Sequence, residues 1–501
     1  MRPPDLTMTF DYGTTSLKAA LVDRQGGIVA SASATYAVAQ PRVGWAEQDP
    51  RLLWEAGALA GREAMRLARA GPEAVRSIVF VAPWKGIIPV SQDGAVLRDA
   101  LIWMDARAAP EAGRLNAALG VFAGTGQEYW PRLMWLKQHE PRTWAGSRWI
   151  MGVGTYLRWM ATGAVVTEPS DDFVRSTRPA TQARFDRILA AAGLSQDLDK
   201  FPPAIGSGDV VGALTPEAAG HLGFLVGTPV RCGFGDLPAI TLGAGPLEPG
   251  AVHIYLGTSS WFAAVLEAGS ELDPPLRFAI DAHHDGALYC LQAGCLAYDW
   301  VVDLLYRSDR AEKGDRFFAF MDDEISAVPP GSETLLATHW LIGELPPFAK
   351  NAKGVYLNLT TIHDRRHMVR AMLESICYSH RLSVERYEAQ AGCHVDEIRA
   401  VGGGASSPVW MQMLADVLSR PIVVPAAPRF VGAIGASRCA GERRVAPAPV
   451  DAPTQGRRFT PNPDHRSTYD RMFAAYAKIQ PALVDLFDAL NGPSITQGER
   501  T

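Results

Sequence analysis

The chain carries near its beginning the stretch Thr9-Phe10-Asp11-Tyr12-Gly13-Thr14-Thr15-Ser16-Leu17-Lys18-Ala19-Ala20-Leu21-Val22-Asp23. Two apolar runs flank a Gly-Thr-Thr turn, which predicts a strand, a tight turn and a second strand. Asp11 ends the first run, and Lys18 adds a positive charge to the second. A carboxylate beside a turn rich in hydroxyl and N–H groups suits Mg²⁺ and phosphate oxygens. An ordinary hairpin is the alternative interpretation.

A second copy of this pattern lies in the other half of the chain. Residues 252–265 read Val-His-Ile-Tyr-Leu-Gly-Thr-Ser-Ser-Trp-Phe-Ala-Ala-Val, again two apolar runs around a turn, here Gly257-Thr258-Ser259. Two turns of a size that fits a phosphate, one in each half, favour the functional interpretation. They indicate a duplicated fold that binds a nucleotide between its halves.

Length and composition limit the class of protein. A chain of 501 residues is too long for one hydrophobic core and predicts two large domains. Its net charge of −5 favours neither nucleic acid nor an anionic membrane surface as a partner. The six cysteines are scattered, and we find neither a signal peptide nor an apolar run of about 18 residues. We therefore expect a cytoplasmic protein without a membrane partner.

Strands and helices alternate along the chain, which predicts an α/β fold. A strand that ends near Gly233 runs into Phe234-Gly235-Asp236, and a helix is predicted over 239–244. Asp236 then lies at the carboxyl end of a strand, where α/β folds bind their ligands. Capping of the following helix explains the same pattern equally well. The segment 246–250 is the predicted boundary between a domain of residues 1–245 and one of residues 246–501.

Trp103, Asp105 and Arg107 alternate in sequence, so one strand would direct all three side chains to the same face. An aromatic ring beside a carboxylate and a guanidinium is a plausible site for a polyol. An internal ion pair between Asp105 and Arg107 under Trp103 is the alternative.

A glycine-rich turn follows a short predicted strand late in the chain. Gly402-Gly403-Gly404 comes directly after Ile398–Val401 and precedes a predicted helix. The backbone of such a turn can lie flat against a ring or a phosphate. Taken alone, the pattern identifies no ligand.

Taken in order, these stretches resemble the FGGY family of carbohydrate kinases, in the superfamily that also holds actin and the heat-shock ATPases. The resemblance runs from about residue 6 to about residue 490 and is nearest to the xylulokinase-like branch. The motifs that carry it are Asp11-x-Gly13-Thr14-Thr15-Ser16-x-Lys18, Gly44-Trp45-Ala46-Glu47-Gln48-Asp49-Pro50, Trp103-x-Asp105-x-Arg107, Gly233-x-Gly235-Asp236, Leu256-Gly257-Thr258-Ser259-Ser260, and Gly402–Ala405 with Trp410-x-Gln412-x-x-x-Asp416.

This resemblance implies an α/β fold of two duplicated ribonuclease H-like (actin-like ATPase) domains with a cleft between them. It implies that residues 1–245 bind the sugar and carry the first phosphate turn. Residues 246–501 would bind the nucleotide and end in helices. The implied reaction is the phosphorylation of a sugar or polyol hydroxyl, with ATP as phosphate donor and Mg²⁺ as its metal.

The resemblance also assigns roles to single residues. Asp236 matches the family's general base, and Asp11 matches the acidic residue near Mg²⁺. The residues implied to bind ATP are Gly13, Thr14, Thr15, Lys18, Thr258, Gly403, Gly404 and Ser407. We expect the sugar to contact Trp84, Lys85, Trp103, Asp105, Arg107 and Asp236.

The chain departs from the family at two places. Pro83-Trp84-Lys85-Gly86 lies where xylulokinases carry Gln-Met-His-Gly, a stretch that contacts the sugar. Lys85 either binds an acidic sugar or extends into solvent. Leu345 replaces the Arg of a family Gly-Glu-Arg-x-Pro motif, which we interpret as a changed structural ion pair.

The expected substrate is therefore a ketopentose such as xylulose. Another polyol or a sugar acid, such as glycerol, ribulose or gluconate, stays open as an alternative. A non-catalytic, actin-like nucleotide-binding protein is the alternative from a different class, and the sugar-side residues argue against it. We expect a small-molecule sugar as partner and no nucleic acid, and we keep a homodimer open.

Overall fold

A computed structural model describes residues 5–121, 124–171, 179–281, 283–344, 351–439 and 456–491. The chain forms two compact units. The first comprises residues 1–243, 279–282 and 430–449, and the second comprises residues 244–278, 283–429 and 450–501. Within the described residues, no helix is both long and apolar enough to cross a membrane.

The first unit is built on a mixed sheet with helices packed against it. Its strands are β1 (Leu6–Tyr12), β2 (Ser16–Val22), β3 (Ile28–Thr35), β4 (Glu47–Gln48), β5 (Val75–Ala82), β6 (Ile88–Val90), β7 (Ala100–Leu101), β8 (Trp149–Met151), β9 (Val210–Ala213) and β10 (Pro229–Gly235). Its helices are α1 (Pro50–Ala68), α2 (Ala109–Leu119), α3 (Tyr129–His139), α4 (Pro141–Gly146), α5 (Val153–Thr162), α6 (Pro179–Ala191), α7 (Pro216–Leu222), α8 (Asp236–Ala244) and, much later in the chain, α14 (Val431–Cys439).

Six strands of this unit form one sheet in the order β3-β2-β1-β5-β10-β9. The neighbours β1, β5 and β10 are parallel, and β2 and β9 run antiparallel to their partners. The parallel register sets Asp11 beside Val81 and Gly235 beside Ala82. The carboxyl ends of three strands therefore meet at one edge of the sheet, which is where α/β folds bind ligands.

Local sequence explains how α1 begins next to this sheet. The Asp49 carboxylate accepts a hydrogen bond from the Arg51 N–H at 2.9 Å, and Pro50 occupies the first helical position. Both features stabilise a helix N-terminus. The buried face of α1 packs on β2 and β3 and closes one side of the hydrophobic core.

The second unit contains a sheet of seven strands. The strands of the unit are β11 (Val252–Leu256), β12 (Ser260–Glu267), β13 (Leu276–Ala279), β14 (His284–Leu291), β15 (Leu336–Ala337), β16 (Tyr356–Leu357), β17 (Ile398–Val401), β18 (Ile422–Val424) and β19 (Arg457–Phe459). Strands β15 and β16 pair with each other outside the large sheet. Its helices are α9 (Cys295–Leu305), α10 (Arg307–Lys313), α11 (Phe317–Ser326), α12 (Arg365–Ala391), α13 (Pro408–Leu418), α15 (Arg466–Tyr476) and α16 (Ile479–Asn491).

The two large sheets repeat the same topology. The second sheet has the order β13-β14-β12-β11-β17-β18-β19, and its last six strands correspond one by one to β3-β2-β1-β5-β10-β9. The pair β17 and β18 is parallel like β5 and β10, while β12 and β19 run antiparallel to their neighbours like β2 and β9. The duplication predicted from the two Gly-Thr turns is therefore confirmed.

One predicted element is wrong. The strand expected to carry Trp103, Asp105 and Arg107 ends at Leu101, and the residues that follow form turns. Alternation of large and small residues occurs in turns as well as in strands, so the period of two did not identify a strand here. The helix predicted over 239–244 is present and begins earlier, at Asp236.

Candidate active site

The first Gly-Thr-Thr turn joins β1 to β2 and is held by side chains from elsewhere in its unit. The Tyr36 hydroxyl donates to the Gly13 carbonyl oxygen, and the Gln48 amide donates to the Thr14 carbonyl oxygen, each at 2.6 Å. The Trp103 indole N–H donates to the Thr14 hydroxyl at 3.0 Å. Gly13 and Thr15 of the same turn are exposed.

Asp11 lies at the base of this turn. It pairs in register with Lys18 on β2, and the positive charge of Lys18 favours the ionised carboxylate. Burial outweighs that attraction and raises the pKa of Asp11 above its ordinary value. A Cβ on Gly432 of α14 would lie 2.7 Å from the Asp11 carboxylate, so the glycine leaves room for it.

Asp236 follows the last residue of β10 and is also the first residue of α8. Its carboxylate accepts a hydrogen bond from the Leu237 N–H at 2.9 Å. Burial raises the pKa of Asp236 to about 7, and the negative charges of Asp11 and Glu168 add to the rise. Asp236 therefore lies at the carboxyl end of a strand, as predicted, and is also where the following helix begins.

Glu168 is a residue of this site that the sequence analysis missed. Its buried carboxylate accepts hydrogen bonds from the Ser170 N–H and hydroxyl, both at 2.6 Å, and from the Gly235 N–H at 3.0 Å. Burial raises the pKa of Glu168. The only sequence signal was one acidic residue after an uncharged run from Gly163 to Thr167. Its partner Gly235 is 67 residues away, so nothing local indicated the bond.

A small recess lined with aromatic rings, about 10 Å³ in volume, lies beside the first turn. Tyr12, Tyr36, Trp84 and Trp103 supply its rings, and the Gln48 amide and the Thr14 side of the turn supply polar groups. A Cβ on Gly235 would collide with the Trp84 indole, with a separation of only 1.6 Å. Trp84 therefore packs directly against the backbone that leads into Asp236.

Lys85 does not extend into solvent. Its ammonium group lies 2.7 Å from the Glu128 carboxylate, and only 16% of the side chain is exposed. The Lys85 backbone has a φ of +64°, and its carbonyl oxygen accepts a hydrogen bond from buried Arg132 at 2.6 Å. Such a φ is uncommon outside glycine, so these neighbours hold the backbone in place.

The expected sugar contacts of Asp105 and Arg107 require correction. Their side chains are 0% and 1% exposed and form an ion pair at 2.7 Å. Asp105 also accepts from the Ala46 N–H at 2.7 Å, and the Arg107 guanidinium stacks on Trp45 at 3.6 Å from the ring centre. The alternative of an internal ion pair is the correct one, although the ring above it is Trp45. Of the three alternating residues, Trp103 alone lines the recess.

The second Gly-Thr-Ser turn joins β11 to β12 in the other unit. The N–H of Cys295 donates to the Gly257 carbonyl oxygen at 2.7 Å, and the N–H of Gly294 donates to the Thr258 carbonyl oxygen at 2.9 Å. The N–H of Leu296 also donates to that Thr258 oxygen, at 3.2 Å. These donors are the N–H groups at the start of α9, which have no partner within their own helix. A helix N-terminus thus holds the carbonyl side of this turn.

The glycine-rich turn after β17 is packed tightly on one side. A Cβ on Gly404 would lie 2.6 Å from the Trp410 ring, whereas a Cβ on Gly403 would meet no atom within 4 Å. Ser407 caps α13, because its hydroxyl accepts from the Trp410 N–H at 3.1 Å and donates to the Asp322 carboxylate. Its hydroxyl therefore has a structural function. Leu345, the departure from the family motif, lies outside the described residues.

Two family models match consecutive parts of the chain. The model of the FGGY family of carbohydrate kinases, N-terminal domain, matches residues 6–243, and that of its C-terminal domain matches residues 253–441. The chain belongs to this family.

Proteins named xylulose kinase align over most of the chain. The xylulose kinase of Bacillus subtilis (strain 168) is 28% identical over 82% of this chain and 83% of its own length. The xylulose kinase of Escherichia coli (strain K12) is 28% identical over 86% of this chain and 88% of its own length. The crystal structure of ligand-bound xylulose kinase from Lactobacillus acidophilus superposes with a TM-score of 0.81 at 21% identity, covering 97% of this chain and 99% of that chain.

The protein is accordingly a carbohydrate kinase, a phosphotransferase that acts on a sugar hydroxyl with ATP as its other substrate. The chain, with its two mixed sheets and the helices packed on them, has the actin-like ATPase fold of the FGGY kinases, as the resemblance implied.

Proposed function

We propose that this FGGY kinase phosphorylates xylulose or a closely similar neutral ketopentose. The observation that carries the proposal is the composition of the aromatic recess. Among the described residues, those that line it carry no formal charge, and they offer aromatic rings, an amide and a hydroxyl. Such a surface suits the apolar face and the hydroxyl groups of a neutral sugar. The names of the two bacterial relatives support the same substrate.

The positions of the nearby cations argue against a sugar acid. Lys85 is paired with Glu128, and Arg107 is paired with Asp105 and with Glu47 at 2.6 Å. A carboxylate on the substrate would have to compete with these existing ion pairs. We therefore expect gluconate to be a poor substrate.

Within this proposal Asp236 is the general base that accepts the proton of the attacking hydroxyl. A base is most effective when its pKa lies near the working pH, and the pKa of Asp236 is raised to about 7. Glu168 supports this role because it binds the N–H of Gly235, the residue before the base. Trp84 packs on the same backbone and lines the recess, which links the sugar site to Asp236.

We propose Asp11 as the residue that holds Mg²⁺ together with the phosphates of ATP. The residues fit such an ion, since the charge of Asp11 disfavours ionisation of Asp236 and a cation would relieve that repulsion. Mg²⁺ in proteins is usually bound through one or two carboxylates, with phosphate oxygens completing its ligands. When bound, it would neutralise charge that develops on the transferred phosphoryl group.

The two turns are the proposed binding elements for the phosphates of ATP. In the first, Gly13, Thr14 and Thr15 would offer N–H and hydroxyl groups, and Lys18 would supply positive charge. In the second turn, Thr258 would offer its N–H and hydroxyl groups. Gly403 and Gly404 would lie along the adenosine. Ser407 would act indirectly, since its hydroxyl already caps a helix and binds Asp322.

Purified protein, ATP and Mg²⁺ should be incubated with D-xylulose, L-xylulose, D-ribulose, glycerol and gluconate while ADP release is measured. We expect kcat/KM for one of the ketopentoses to exceed that for gluconate by about 100-fold or more, because a substrate carboxylate would have to displace the partners of Lys85 and Arg107. Equal rates with gluconate and the ketopentoses would refute the neutral-sugar assignment.

A further inference from the structure

A cluster of buried polar side chains lies behind the second Gly-Thr-Ser turn and has no part in the function proposed above. It consists of Ser260, at the start of β12, His380, in the middle of α12, and the pair His339 and Glu344. The exposed fractions of these residues are 0%, 0%, 0% and 4%. Buried polar groups are costly to fold unless they are paired, and the partners of this cluster lie beside the second turn.

The direction of the hydrogen bond between Ser260 and His380 follows from proton counting. The Ser260 hydroxyl donates its single proton to the Tyr255 carbonyl oxygen. Its oxygen lies 2.7 Å from Nε2 of His380, so Nε2 must carry a proton and donate to it. Tyr255 and Ser260 flank the turn on either side, and His380 therefore fixes both ends of the turn through one hydroxyl group.

The His380 ring is built to remain a neutral donor. Burial lowers the pKa of His380 to about 3, and the nearby His339 contributes to the decrease. The ring is uncharged at physiological pH, and its Nε2 proton is fixed by the bond to Ser260. The support that it gives to the turn consequently does not change with pH in that range.

Glu344 supports the other flank of the turn. Its carboxylate lies 3.0 Å from Nε2 of His339 and accepts a hydrogen bond from the Gln292 N–H at 3.1 Å. Gln292 lies two residues before Gly294, where the N–H groups begin that hold the carbonyl oxygens of the turn. Glu344 is the acidic residue of the Gly-Glu-Leu-Pro-Pro segment, and its carboxylate has a structural role here.

We propose that His380 is a positioning residue, which holds the second turn and its Thr258 in the conformation that binds a phosphate of the nucleotide. The proposal rests on the proposed function of that turn. His380 would contact neither the nucleotide nor the sugar, and its effect would pass through Ser260.

The test compares His380→Leu, which removes the donor, with His380→Gln, whose amide can still donate. Binding of MgADP is measured by calorimetry, and KM for ATP and for D-xylulose by ADP release. We expect the Leu variant to bind MgADP about 10-fold more weakly, as loss of one buried hydrogen bond predicts. The KM for D-xylulose should stay within about two-fold, and the Gln variant should recover most of the affinity.

His253→Leu is the matched control for His380→Leu. His253 is also a buried histidine of this unit, and its pKa is likewise lowered to about 3. It lies near the start of β11, at the opposite end of the strand from the turn. A change that only loosens the core would act alike at His253 and His380, lowering stability without a selective loss of nucleotide affinity. Selective weakening in the His380 variant supports the positioning role.

Two further variants separate the possible failures. Ser260→Ala removes the acceptor with little change in volume and should weaken MgADP binding as much as His380→Leu, without adding to it in the double variant. Unchanged affinity in His380→Leu and Ser260→Ala, with weakened affinity in Thr258→Ala, overturns the positioning role alone. Unchanged affinity in Thr258→Ala overturns the proposed function of the turn.

Discussion

The two Gly-Thr turns occupy equivalent places in duplicated sheets, yet they are held by different means. The side chains of Tyr36, Gln48 and Trp103 support the first turn and also line the aromatic recess. Backbone N–H groups at the start of α9 support the second, together with a buried histidine. The first turn is thus tied to the sugar site, whereas the second is tied to the interior of its own unit.

The ends of the equivalent strands differ in a second respect. Asp11 near the end of β1 corresponds to Tyr255 near the end of β11, and Asp236 after β10 corresponds to Pro425 after β18. The carboxylates that we assign to the chemistry lie in one unit alone. The two sheets share a topology, and at these two equivalent positions the first carries carboxylates whereas the second carries Tyr255 and Pro425.

The largest effect that tests this division is expected from Asp236→Asn. The amide cannot accept the proton of the sugar hydroxyl, so kcat should fall by about 1000-fold. Affinity for MgADP should change little, because the phosphate turns are intact. Steady-state kinetics and calorimetry measure the two effects, and Asp93→Asn, at an exposed turn of the same unit, serves as the control. A kcat within ten-fold of the unmodified enzyme would remove the base from the mechanism.

Gln48→Leu is expected to have a smaller effect, which changes the KM values of both substrates. The variant loses the 2.6 Å hydrogen bond to the Thr14 carbonyl oxygen and an amide of the recess. We expect KM for D-xylulose and KM for ATP each to rise about 10-fold, whereas His380→Leu raises KM for ATP alone. Gln40→Leu, at an exposed site, should change neither constant. A rise in only one KM for Gln48→Leu would contradict the coupling of the first turn to the sugar site.

The pH dependence of the unmodified enzyme gives the next test. Asp236 must be ionised to act as base, and burial together with nearby acidic groups raises its pKa to about 7. The value of kcat/KM for the sugar should therefore rise with pH, about ten-fold per unit below pH 7, and level off above it. Measurement across pH 5 to 9 in a constant-ionic-strength buffer checks this. If kcat/KM instead stayed constant down to about pH 4 and fell only below it, the base would have an ordinary carboxyl pKa.

The smallest expected effect is on stability. The pKa of Asp236 is raised from 3.8 to about 7 on folding, so its ionisation costs stability as pH rises from 4 to 7, and that cost stays constant above pH 7. Asp236→Asn removes the cost, and we expect Tm to increase by roughly 2–4 °C at pH 8. At pH 4 the increase should nearly vanish. Calorimetric scans at both pH values make the comparison, and an equal shift at each would exclude this ionisation as its cause.

The sequence predicted those parts of the site that depend on local patterns. Asp236 was placed correctly at a strand end because glycines and a proline mark both sides of it, and the Gly-Thr turns were recognisable from apolar runs around them. Asp105 and Arg107 were assigned to the sugar because alternation does not distinguish a strand from a turn. Their internal pairing depends on Ala46 and Trp45, which the fold alone brings near.

Contacts distant in sequence could not be predicted at all. Lys85 forms an ion pair with Glu128, on the segment before α3, and Glu168 binds the N–H of Gly235, which is 67 residues away. Nothing in the residues adjacent to Lys85 or Glu168 indicates these bonds. The same is true of Ser260 and His380, which are 120 residues apart. The sequence-based boundary at 246–250 stays a prediction. The roles assigned to single residues stay predictions until the variants are measured.

The late position of α14 has a consequence for how the protein is made. This helix comes from residues 431–439 but packs against β1, β2 and β5, with Ala433 and Ala436 fully buried. During synthesis the amino-terminal unit therefore cannot complete its core until almost the entire second unit has left the ribosome. A chain that stops before residue 430 would lack this helix and would leave an apolar face of the sheet uncovered beside Asp11.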